Sequence, residues 1–278
     1  MRKFIIIIAA LLSVQSAFAW SRAIHNAIAA IADDNLTEQA KQNISKALGG
    51  HNIIYYAQWM YDVADSEGYA QTKNWRSVAF NKTKLISGKK IAKHPENIVN
   101  RACGLEALIA AVKAIESGNL TEQELANNIR YIVTIVGDLH CPTHYIFTDM
   151  LEKRKSFYYI PGDDKKHSYV NYWENSSIRG TFSWRTNEFV HQLSRKTPEQ
   201  VAAITKGSIT DWIVGNVPLY RSVFDMVESG TRFSKTKLRL WQNTMYPIAT
   251  EQVAVAGYRL AAILNGLFDN SVANVKTK

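Results

Sequence analysis

The sequence lacks any strong alternation of apolar and polar residues of the kind a half-buried strand requires, which argues against a sandwich or barrel. No unit of roughly 20–50 residues recurs, so solenoids and propellers are excluded as well. Cysteine is scarce: Cys103 and Cys141 are the only two in 278 residues, so at most one intramolecular disulfide can form. Long apolar runs are missing too. The run Phe4 to Leu12 falls well short of the roughly 20 residues that span a bilayer, and no stable membrane insertion is expected. Nor does the composition suggest disorder, since 46% of residues are hydrophobic and 21% charged.

What is present begins with the first 19 residues. Arg2 and Lys3 precede the apolar run, and Ala17-Phe18-Ala19 has the small-x-small form of a cleavage site, so residues 1–19 read as a secretory signal peptide and residues 20–278 as one domain. Cleavage before Trp20 would place the mature chain in a secreted or periplasmic location. Loss of Arg2 and Lys3 lowers the formal charge from +9 by two, to +7. A basic surface suits polyanions, and it also confers solubility. In an oxidising compartment a Cys103–Cys141 disulfide is plausible; two buried thiols are the alternative.

Helical periodicity dominates the remainder. Ala23, Ile24, Ala27, Ile28 and Ile31 share a face that carries His25 on the same helix. Helices are expected near 37–49, 53–65, 106–116, 184–193, 198–213, 217–227 and 245–268, with the Thr121-x-x-Glu124 capping box opening a central one. Residues 66–98 read as an irregular basic loop and 146–180 as a long loop over the site. The fold class is therefore all-α, a single-domain helical bundle.

The central helix ends in NNIRYIVTIVGDLHCPTHY, an apolar stretch that gathers Asp138, His140, Cys141 and His144. Tyr131, Ile132, Ile135, Val136 and Leu139 face the core and carry Asp138 inward, where a lone carboxylate must be neutralised, paired or bound to a metal. His140 and His144 have the i, i+4 spacing, with Pro142 forcing a kink or an end between them. A core salt bridge with ordinary buried histidines is the alternative to a metal centre at this point.

Four stretches in the same order resemble the S1/P1 nuclease family. Trp20 with His25 five residues on matches the mature N-terminus of that family, AQWMYD resembles ASWAD, VTIVGDLHCPTH resembles VHFIGDxxQPLH, and EQVAVAGYRLAAILN resembles LAxGGYRLAxxLN. The resemblance implies a phospholipase C/P1 nuclease type of bundle with a cleft for three zinc ions. It also implies that a freed Trp20 amine, His25 and Asp138 hold one zinc, with Asp138 catalytic, and that His144 and Glu174 contribute to another.

The resemblance is incomplete. Tyr61, Ala79 and Thr134 stand where the family supplies an aspartate and two histidines, and Val170 stands where it supplies a histidine. None of Ala79, Thr134 and Val170 can replace an imidazole on zinc. Asp62, His140 and His167 are the substitute donors the sequence offers, and one or two zinc ions are expected rather than three. The implied activity is a zinc-dependent phosphodiesterase, an endonuclease on single-stranded DNA or RNA. The alternatives are an impaired relative that keeps one structural zinc and binds a nucleotide or other anion, and a phospholipase C-like phosphoester hydrolase. Single-stranded nucleic acid or nucleotides are the implied partners, and the protein is expected to be a monomer.

Overall fold

The structure, a computed structural model, describes residues 20–86, 103–178 and 185–278. The stretch 1–19, expected to be a signal peptide, and the lysines at 89, 90 and 93 lie outside these residues. Helix α1 (Arg22–Asp34) buries Ile24, His25, Ala27, Ile28 and Ile31 as its periodicity requires. Thr37 caps α2 (Glu38–Ala47) by accepting from the Ala40 N–H. The helix expected over 53–65 is instead a 3-10 turn at Ile53–Tyr56 and the single turn α3 (Trp59–Asp62).

Two helices, α4 (Gly104–Ser117) and α5 (Glu122–Asp138), pack together, and α5 opens with the expected capping box, in which the Thr121 N–H donates to Glu124 Oε2 at 2.9 Å. The stretch expected to be loop after α5 is more ordered than its polarity suggests. It contains α6 (Leu151–Arg154) and α7 (Tyr169–Asn175). Then come α8 (Thr186–Leu193), α9 (Pro198–Thr205), α10 (Ile209–Gly215) and α11 (Val217–Val223), with Gly207 at positive φ separating two helices where the sequence pattern suggested one. The chain closes with α12 (Lys235–Phe268), which begins ten residues earlier than its apolar pattern because Ser234 caps it.

Among the described residues six short strands form two small sheets, in the orders β2-β1-β3 and β5-β4-β6. Here β1 is Val78–Asn81, β2 Lys84–Leu85, β3 Tyr145–Phe147, β4 Phe157–Tyr159, β5 His167–Ser168 and β6 Thr231–Arg232. At two to four residues they are too short to leave a period-2 signature, and pairing rather than propensity makes them: β1 runs parallel to β3, with Ala79 opposite Ile146. The fold is mostly helical, as expected.

Helix α1 packs against α12. A Cβ on Gly257 would fall 2.5 Å from Ile31 Cγ2, so only glycine permits this approach. That contact fixes α1, and with it His25, between α12 and α5.

Candidate functional site

Helix α5 delivers Asp138 to the interior at its last position, where the carboxylate is fully buried. His25 reaches it from α1: Nε2 lies 3.2 Å from Asp138 Oδ1. Gly137 makes the approach possible, since a Cβ there would stand 2.8 Å from His25 Nδ1. The Tyr61 hydroxyl, from α3, donates to the same Oδ1 at 2.8 Å. Trp20 is fully buried beside them. Its carbonyl accepts from Gln58 Nε2 at 3.2 Å, and the next residue, Ser21, donates its N–H to the carbonyl of Glu174 at 2.7 Å.

After Asp138 the chain leaves the helix. Pro142 opens a short 3-10 turn, Pro142–His144, so His140 and His144 do not share a helical face as their spacing suggested. His144 is buried, and its Nδ1–H donates to the carbonyl of Arg76, leaving Nε2 3.8 Å from Glu174 Oε1. Burial, aided by the positive charges of Arg154 and Arg76, holds the imidazole down to about 4 against the pull of Asp138 in the other direction. Burial also raises the Glu174 carboxyl well above the usual carboxylate range, opposed chiefly by Arg154. His140 instead turns to the bundle: its Nδ1–H donates to the Val136 carbonyl at 2.7 Å, and Arg259 on α12 donates to Nε2 at 3.0 Å. Burial and the Arg259 charge press it down to about 3.

The proposed substitute donors are thus not gathered around Asp138. Asp62, one residue past Tyr61, lies about a third of a turn away and pairs with Arg22 at 2.6 Å on the exposed face. His167 sits on β5 with Asp163 3.1 Å away and Tyr158 stacked on its ring. His140 belongs to Arg259. Cys103 and Cys141 are free thiols, so the expected bridge is not formed; Cys141 is buried with its sulfur 3.2 Å from the Thr143 hydroxyl.

The residue missed from sequence is Arg76. The sequence reading placed Ala79 at the family's histidine after the tryptophan, yet Ala79 is on β1 and packs with Ile146 in a small separate cluster. Arg76 immediately follows Trp75, its guanidinium carbon lies 3.9 Å from the centre of the Tyr61 ring, and its carbonyl holds His144. Direct adjacency to Trp75 was the available signal.

Buried polar atoms normally find partners. Those that do not are concentrated here: His25 Nε2, Asp138 Oδ2, Arg76 Nε and Arg154 Nε, along with the indole N–H of Trp20 and, next to Glu174, that of Trp173. The first two fit a single cation. His25 Nε2 lies 3.2 Å from Asp138 Oδ1, the oxygen that also accepts from Tyr61, so Oδ2 is the carboxylate atom left for an ion. The remaining positions fit no second or third ion. Tyr61 spends its proton on Asp138, and the Thr134 hydroxyl bonds back to the Arg130 carbonyl at 3.1 Å. Among the described residues no group of three or more His, Cys, Asp or Glu side chains is arranged to hold a metal.

Comparison with protein families gives one match, a model described as S1/P1 Nuclease, over residues 20–269. A search of curated proteins finds no match. The match begins at Trp20 and takes in every site residue named above.

Proposed function

The chain belongs to the S1/P1 nuclease family, and from that premise we propose that it binds phosphodiesters of single-stranded nucleic acid or nucleotides around a single-cation centre, with hydrolysis weakened or lost. One observation carries this reading: Tyr61, in the position of the family's aspartate, donates to Asp138 at 2.8 Å, so the carboxylate that should bridge ions is engaged by a phenol. The His25–Asp138 pair retains two unpartnered polar atoms for one cation. Trp20 would supply the rest through its amine, which is free only if the chain is cut before it, so metal binding and export would be linked.

When bound, zinc supplies charge neutralisation at phosphoryl oxygen and a hydroxide at neutral pH. The residues around it act differently. His25 and Tyr61 fix the Asp138 carboxylate in one orientation, Gln58 fixes the Trp20 carbonyl, and His144 is kept neutral by burial. Asp138, His25, His144 and Glu174 are all buried, so little of this machinery faces an incoming strand. A slow phosphodiesterase is the second reading. It is favoured by His144 Nε2 and Glu174 Oε1 at 3.8 Å, two donors at matching family positions.

The test is zinc content and cleavage of single-stranded DNA and RNA by protein cut before Trp20, with a chelator control. One zinc per chain and cleavage at background supports the first reading. One zinc with chelator-sensitive cleavage supports the second, and zero zinc overturns both.

A further inference from the structure

Arg76 and Arg154 come from different parts of the chain, one after α3 and one at the end of α6, and converge on His144. Arg76 holds the ring through its carbonyl, and Arg154 reaches the residues on either side of it. Arg154 is anchored from beneath by donating to the carbonyls of Thr143 and Tyr145. Arg76 is anchored by the face of Tyr61. Each leaves a buried Nε with no partner, and both side chains are half-buried whereas Asp138, His144 and Glu174 are buried. The two arginines therefore lie at the edge of the buried acids, each only partly exposed. The carboxylates lie beneath: Asp138 is occupied by His25 and Tyr61, and Glu174 faces the Nε2 end of His144.

Guanidinium is also what stands where family metal chemistry has been lost. Arg76 immediately follows Trp75, the tryptophan after which the family supplies a histidine donor, and Arg154 binds the turn that carries His144. A guanidinium carries a permanent charge and presents paired N–H donors that match phosphate oxygens. Where two or three ions would neutralise a phosphoryl group, two arginines neutralise it instead.

We propose that Arg76 and Arg154 form a metal-independent clamp over His144 that grips the non-bridging oxygens of one phosphate group of a nucleotide or strand. This rests on the family reading for the identity of the ligand, and it is independent of whether the Trp20–His25–Asp138 centre holds zinc.

The experiment is calorimetric titration of the signal-cleaved protein with inorganic phosphate and with a short oligothymidylate, each with and without chelator, and zinc counted in the same samples. Binding of both probes is expected to survive the chelator. Arg76→Met and Arg154→Met should each weaken it about ten- to a hundredfold, the range for losing a charge-assisted contact. Arg76→Lys, which keeps the charge and loses the paired donors, should recover part of that loss. Circular dichroism and thermal unfolding verify that the variants fold; a Met variant that fails to fold is replaced by its Lys counterpart. Binding abolished by chelator overturns the clamp, as does binding unchanged in either arginine variant, which would leave Arg154 as an internal counter-ion for Glu174. Absence of zinc with chelator-resistant binding would sink the single-cation reading and leave the clamp standing.

Discussion

Replacing His25 with alanine tests the centre most directly. The imidazole is 2% exposed and faces a carboxylate that is fully buried, so its removal withdraws the one basic group within 4 Å of Asp138 among the described residues. Breaking one side of a buried pair destabilises by about 3–5 kcal/mol, and the hydroxyl of Tyr61, which remains, puts the expectation at the lower end. At about 2–4 °C per kcal/mol for a domain of this size, the apparent Tm should fall by roughly 6–12 °C. A cation contributes separately. At a free concentration a hundred times its Kd it adds about 2.7 kcal/mol, so chelator should lower the Tm of the parent by roughly 5–11 °C. The variant should show no such chelator shift and no bound zinc. His191→Ala, altering a side chain near the end of α8 that has no contact with the site, should leave both unchanged. Retention of one zinc per chain and of the chelator shift in His25→Ala would refute the assignment.

Gly137→Ala should act through the same imidazole. Its Cβ would press on His25 Nδ1 at 2.8 Å, and overpacking of about 1–3 kcal/mol should outweigh the better helix propensity of alanine, with bound zinc falling in parallel by elemental analysis. Stability should also fall with acid. His140 and His144 titrate near 3 and 4 in the fold and near 6.5 when unfolded, so between those values the unfolded chain binds protons that the fold refuses. Lowering the pH from 7.5 to 5 should remove about 2 kcal/mol per histidine, read as a shift in denaturant midpoint, and His140→Gln should halve that loss; a pH-independent midpoint would contradict the burial of both rings. Finally, Tyr61→Asp, Arg76→His and Thr134→His combined should raise zinc content by one ion per chain, because Thr134 lies one helical turn before Asp138 on α5 and Arg76 already reaches Tyr61. An unchanged count would mean that these positions do not converge on one ion.

Much of this arrangement was legible in the residues. The burial of Asp138 followed from the apolar face of α5, His25 from the periodicity of α1, and the break before His144 from Pro142. The short strands were not legible, because two or three residues held by pairing carry no period. The family resemblance puts Ala79 at a site position, whereas the parallel pairing of β1 with β3 sets that residue against Ile146. Pro142 announces the break between His140 and His144, but not the directions the two rings then take, one to Arg259 and one to the Arg76 carbonyl. Arg154 was invisible for another reason: a lysine- and arginine-rich segment ordinarily faces solvent, and only its contacts with the carbonyls of Thr143 and Tyr145 draw this side chain inward.

The substitutions in the site share one chemical sense. On the family reading, Tyr61 sets a proton-donating phenol and Thr134 a hydroxyl bonded to its own helix at metal-donor positions, and Arg76 lays a fixed positive charge against Tyr61. Each change removes affinity for a cation, and Arg76 adds repulsion against one. Random decay of a metal cluster would leave unpaired carboxylates, which are expensive to bury and would tend to destabilise the bundle. Here one oxygen of Asp138 lies against His25 and Tyr61, and burial raises the Glu174 carboxyl well above the usual carboxylate range, which favours its neutral form. A carboxyl held neutral by burial and another engaged by a phenol place less demand on bound ions for stability. With the clamp proposed above, affinity for a phosphate group would persist where fast phosphodiester hydrolysis does not.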